Sequence, residues 1–86
     1  MQSLNRMSKL SHQALNHLNP GESATIQSIS ADETLFHRLA ALGFRVGKRI
    51  ELVRCASFNG PLHVRIGNTE IMLRRSQAAL IKVEQL

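Results

Sequence analysis

Between residues 62 and 73 apolar and polar side chains alternate with a period of two. Leu62, Val64 and Ile66 carry the apolar phase, His63 and Arg65 the polar one, and after Gly67-Asn68 the apolar phase resumes at Ile71 and Leu73. Such alternation belongs to strands with one buried face, and a Gly-Asn step between two of them signals a hairpin turn. The same period begins earlier, where Ile50 and Leu52 flank Glu51 and Val53 and Cys55 extend the strand. Phe58-Asn59-Gly60-Pro61 is then a loop. Residues 24–29 read as a first strand and Ile81 with Val83 as a last one. Five short strands with tight turns and one helix predict a mostly β chain folded as a small, strongly curved barrel.

One stretch breaks the period. Leu35, Leu39 and Leu42 recur at helical spacing, with Phe36 and Ala40 beside them. Ser30 and Glu33 have the spacing of a capping box, and Gly43 stands where a left-handed C-terminal cap belongs, with Phe44 placed to pack back on Leu39. A short helix therefore follows the first strand, and Ser76–Ala79 makes a helical turn before the last. Residues 1–17 are polar and set apart as an extension, 18–86 as the domain. Within the extension Leu10, Ala14 and Leu15, together with Leu18, mark one face of a short helix ending before the turn Asn19-Pro20-Gly21.

The length of 86 residues suits one domain, and a core made almost without aromatics (three Phe, no Tyr, no Trp) must rest on Leu, Ile, Val and Ala. Eleven Lys and Arg against six Asp and Glu give a net charge of +5, which favours acidic partners. No basic run marks a nucleic-acid tail. The lone Cys55 fits a reducing compartment, no signal peptide is visible and no apolar stretch is long enough to span a membrane. The expectation is a cytoplasmic protein without membrane insertion.

Several segments in order are similar to the FeoA family: Leu18-Asn19-Pro20-Gly21-Glu22, Arg38-Leu39-Ala40-Ala41-Leu42-Gly43-Phe44, Val46-Gly47 with Ile50, Gly60-Pro61-Leu62-His63-Val64, and Ile71-Met72-Leu73-Arg74-Arg75 with Ala78. The resemblance spans roughly residues 18–84. It implies an SH3-like β-barrel of about five strands, an accessory role in bacterial ferrous iron uptake, and a partner in the FeoB permease with its G-protein domain. It also relates the chain to the C-terminal domain of iron-dependent repressors of the diphtheria-toxin-repressor type. Gln77 stands where many relatives carry Glu after the Arg pair, which removes one salt bridge.

Candidate partner contacts are Phe58 in its loop and the outward cations His63, Arg65, Arg74 and Arg54, which together would form a basic patch. Gly21, Gly43, Gly47, Gly60 and Pro61 read as turn residues, and Leu39 and Leu42 as core. His12, His17, His37, His63 and Cys55 show no metal-ligand spacing, and no phosphate-cradling loop or nucleophile-base pair is present, so neither a metal, a cofactor nor an enzymatic activity is expected. The scarcity of aromatics argues against base stacking and against a proline-ligand groove. Exposed strand edges leave room for weak self-association.

Overall fold

The computed structural model describes residues 12–85. Its elements in chain order are β1 (His12–Ala14), a 3-10 turn (Leu15–His17), β2 (Ser23–Ile29), α1 (Glu33–Ala41), β3 (Arg49–Cys55), β4 (Leu62–Ile66), β5 (Thr69–Leu73), α2 (Arg75–Ala78) and β6 (Ile81–Gln85). The strands form one antiparallel sheet in the order β1-β6-β2-β3-β4-β5. The five expected strands, the helix after the first of them and the helical turn before the last are all present.

The β4–β5 hairpin follows the alternation directly. Ile66 pairs with Thr69 across Gly67-Asn68, and the positive φ (59°) falls on Gly67, the first of the two turn residues. Leu62, Val64, Ile66 and Leu73 are buried with Ile50, Leu52, Ala24, Ile26, Ile81 and Val83. Phe44, 1% exposed, is the one aromatic in this aliphatic core.

Two bulges bend the sheet, one between Ile26 and Ser28, the other between Leu52 and Arg54. The second has consequences for the surface. Strict alternation from the buried Leu52 would turn Arg54 inward and Cys55 outward. Because Val53 is the extra residue, Arg54 instead pairs with His63 and Cys55 with the buried Leu62, where Cys55 packs half-buried against the core.

Helix α1 ends as its sequence demands. Gly43 has φ 106°, its N–H donates to the Ala40 carbonyl (3.0 Å), and the Phe44 N–H donates to the Leu39 carbonyl (2.9 Å). These two bonds make a Schellman cap, and both Leu39 and Phe44 are buried. Leu42, expected in the core, is the C-cap residue and is 43% exposed, because the chain turns there before another helical position can face inward. The start of α1 also departs from expectation. The cap is Asp32, whose carboxylate accepts from the Leu35 N–H at 2.8 Å, and not Ser30. Ser30 is still tied to the sheet, its N–H donating to the Leu80 carbonyl at 2.8 Å, so the helix cannot begin at that residue.

The greatest difference lies at the N-terminal side. Residues 12–14, expected within a helical extension, form strand β1 against β6. Leu15 and Leu18 keep their helical spacing, but over a single 3-10 turn of three residues, which is enough to bury both (0% and 4% exposed). The folded unit thus includes residues ahead of position 18. Leu10, the remaining member of the expected helical face, lies outside the described residues. Beyond Leu18, Asn19-Pro20-Gly21-Glu22 closes with a Glu22 N–H to Asn19 carbonyl bond (3.0 Å) and φ 90° at Gly21. Proline second and a positive-φ glycine third define a type II turn. Gly47 also has positive φ, as the turn reading expected.

Candidate partner-docking surface

The outer face of β3-β4-β5 carries two cross-strand rows. Nearer the Gly67 turn, Glu51 pairs with Arg65 and Arg65 with Glu70. The Arg65 guanidinium donates to Glu51 at 3.0 Å and, through Nη2 and Nε, to one oxygen of Glu70 at 3.0 and 3.3 Å. The other Glu70 oxygen meets His63 Nε2 at 2.7 Å. Toward the opposite end, Arg54 pairs with His63 and His63 with Met72. Met72 is 61% exposed although its neighbours Ile71 and Leu73 turn inward.

Consequently the expected basic patch divides. Arg65 is neutralised by two carboxylates, which raise its pKa, chiefly through the Glu70 hydrogen bond. Arg54 and Arg74 are exposed and make no ion pair among the described residues. Arg74 is the N-cap of α2, just past the end of β5, and its main-chain N–H donates to the Gln77 carboxamide at 3.2 Å. The glutamine therefore does the reach-back that a capping box requires without a carboxylate.

Glu70 gives the network a measurable signature. The hydrogen bonds from Arg65 and then His63 hold its carboxyl below the ordinary value of 4.5. A carboxyl whose pKa is depressed by folding contributes stability above its unfolded pKa and loses it as pH falls through the folded value. Glu70→Gln is therefore expected to flatten the fall of melting temperature below about pH 4.5, the unfolded reference, in a circular-dichroism series. Glu22, lowered mainly by the Asn19 N–H, titrates in the same direction, so the slope should diminish and not vanish. An unchanged slope would exclude the network as a contributor.

Above the Arg54–His63–Met72 row stands the β3–β4 loop. Its tip closes through a Gly60 N–H to Ser57 carbonyl bond (3.1 Å), and Phe58 and Asn59 have φ 57° and 60°. Two consecutive positive φ values belong to a type I′ turn, where Asn, Asp and Gly are favoured and a bulky residue is an outlier. A Cβ on Gly60 would lie 2.7 Å from that of Ala56, so glycine is needed there for space. Pro61 is exposed next to it, and its carbonyl accepts from the Ala56 N–H at 3.0 Å. Phe58 itself is 99% exposed. It does not fold under the loop or cover the barrel.

The strand register therefore places Arg54, His63 and Arg74 toward the end of the face next to the Phe58 loop, with His63 also bonded to Glu70, and leaves Arg65 at the centre of the ion-pair network. Met72 is the member that the alternation did not single out, although the Gly67-Asn68 turn places it beside His63. A concavity of about 290 Å3 lies toward the other end, lined by Lys48, Arg49, Glu51, Arg65 and Gly67. Among the described residues no group of three or more His, Cys, Asp or Glu side chains is arranged to hold a metal ion, and no helix is long and apolar enough to cross a membrane.

Comparison with known proteins gives a consistent result. Residues 13–85 match the FeoA domain family. The chain is 36% identical over 70 residues to an Fe(2+) transport protein A/Fe(2+) transporter FeoB fusion protein of Porphyromonas gingivalis, covering 81% of this chain and 8% of that one. Iron(II) transport protein A from Clostridium thermocellum superposes with a TM-score of 0.82 at 36% identity, covering 86% of this chain and 46% of that one. The zinc complex of FeoA from Stenotrophomonas maltophilia, a prokaryotic SH3 domain protein, superposes with a TM-score of 0.74 at 30% identity, covering 84% of this chain and 89% of that one. The curved sheet described above is accordingly SH3-like.

Proposed function

Because this chain belongs to the FeoA family, we propose that it is a cytoplasmic accessory protein of bacterial ferrous iron uptake, acting by docking on the cytosolic face of a FeoB-type permease and not by catalysis. The observation that carries this reading is Phe58. A phenylalanine 99% exposed and held at φ 57° is unfavourable both in solvation and in backbone conformation. Nothing among the described residues repays that, whereas a partner's apolar pocket would. Aromatic anchors with cations around them are the usual energetic centre of a protein interface, and Arg54 and Arg74 supply the cations. The Porphyromonas gingivalis fusion supports the choice of partner, since joining two modules in one chain raises their effective concentration for each other.

Charge reversal at Arg54 and Arg74 tests the docking surface. Arg54→Glu with Arg74→Glu is expected to weaken binding to the solubilised permease roughly tenfold at low salt, mostly through slower association. The variant should keep its melting temperature. Arg65→Glu is the contrasting variant, because it places a third carboxylate between Glu51 and Glu70 and should lower the melting temperature. Undiminished affinity in the Arg54/Arg74 variant would discard the cationic rim. Failure of the native protein to recover the permease, with nucleic acid co-purifying at physiological salt, would overturn the reading itself.

A further inference from the structure

Strand β5 ends the sheet, and among the described residues its main-chain hydrogen bonds go to β4 alone. The two edges of the sheet are not alike. The other edge, β1, has three residues among those described, a length that offers little to a foreign strand. β5 is five residues long, Thr69-Glu70-Ile71-Met72-Leu73, and its pairing with β4 runs from Ile66–Thr69 to Leu62–Leu73 without a bulge. It contains no proline and no lysine, the usual guards of an edge. Its one charge, Glu70, is already engaged by Arg65 and His63.

The two-residue turn determines which groups are free. A β-turn of this length closes on a hydrogen-bonded pair, here Ile66 and Thr69, and such pairs alternate along an antiparallel ladder. Thr69, Ile71 and Leu73 therefore direct their main-chain groups at β4. Glu70 and Met72 direct theirs away from it, so two N–H and two C=O groups face outward along an edge without a bulge.

We infer that this edge receives an extended segment of the docking partner as an additional strand, and that the segment carries an apolar residue beside Met72 and a carboxylate within reach of Arg74. The inference rests on the docking reading and names its mode. An added strand would lengthen the Arg54–His63–Met72 row by one position, so a side chain across from Met72 meets a surface that is already apolar and 61% exposed. Arg74 follows immediately, exposed and without an ion pair among the described residues, which selects an acidic neighbour at the next step. Main-chain bonds would supply affinity and the alternate side chains specificity, as in other cases of strand addition. A second copy of this chain is the less favoured occupant, since each copy carries a net charge of +5 and would bring its own arginines to the seam.

Hydrogen exchange followed by NMR, on the labelled protein with and without the soluble cytosolic domain of the FeoB-type permease, tests this. The amides of Glu70 and Met72 are expected to slow at least tenfold on complex formation, while those of Thr69 and Ile71, already bonded to β4, change little. Met72→Asp should abolish that protection without lowering the melting temperature. Binding without slowed exchange at Glu70 and Met72 overturns strand addition and leaves the docking reading standing. Slowed exchange that appears with protein concentration alone, in the partner's absence, overturns it in favour of self-pairing. No binding at all removes both.

Discussion

Phe58→Asn is expected to bind the permease at least thirtyfold more weakly than the native protein and yet to melt at a higher temperature. The two effects have separate causes. Truncating an aromatic anchor at the centre of an interface costs about 2 kcal/mol or more, which corresponds to roughly thirtyfold in affinity. Stability moves the other way because asparagine is among the residues that tolerate a left-handed backbone, and the position is the first central residue of a type I′ turn. A side chain 99% exposed gives up no packing when it is replaced, so relief of the strain should add on the order of 0.5–1 kcal/mol. For a domain of this size that is about 2–8 °C in melting temperature. Surface plasmon resonance and a thermal melt on the same preparation decide it. Native affinity in the variant would remove Phe58 from the interface, and a lower melting temperature would show that the side chain supports the loop.

Phe44→Ala should do the opposite, destroying the fold without touching the docking face. Phe44 is 1% exposed, the one aromatic among aliphatic core residues, and it lies directly beyond the Gly43 cap that brings the chain off α1. Phe→Ala in a core typically costs about 3–5 kcal/mol, the sum of lost transfer energy and the cavity left behind. Small domains have roughly 5–15 kcal/mol to lose, so the variant should melt at least about 12 °C lower or be unfolded at 37 °C. Urea denaturation followed by far-ultraviolet circular dichroism is the suitable measurement, since the chain has neither Trp nor Tyr to report by fluorescence. A loss below about 1 kcal/mol would mean that the core closes over the gap, an outcome reserved for sites that relax fully.

These two phenylalanines also show what sequence reasoning can and cannot reach. Phe44 was legible, because glycine after a helical run and an apolar residue beyond it constitute a local signal. The fate of Phe58 was not, because the choice between a ring tucked under its loop and one left in solvent depends on the backbone of the tip. The β4–β5 hairpin was legible for the same reason as Phe44, its period and its turn being contiguous. Arg65 was placed on the correct face, but its neutralisation by Glu51 and Glu70 depends on the register of three strands. Arg54 was likewise expected outward, but the Val53 bulge that puts it there and turns Cys55 toward the core was not legible, since an extra residue in a strand carries no signature of its own in an alternating pattern. Strand β1 escaped because Leu15 and Leu18 have helical spacing, which one 3-10 turn satisfies as well as a longer helix would.

The strand order carries a consequence for how the protein is made. Among the described strands β6 is the last to be synthesised, and it lies between β1 and β2. Until residue 85 has cleared the ribosome, β1 has no neighbour to pair with and one flank of β2 stays open, however long the earlier segments have been available. The nascent chain can form the β2-β3-β4-β5 portion early, but the N-terminal strand must wait for the C-terminal one, across more than sixty intervening residues. Completion of the sheet therefore waits on β6, and its timing is set by the emergence of that strand and not by how early the others were made.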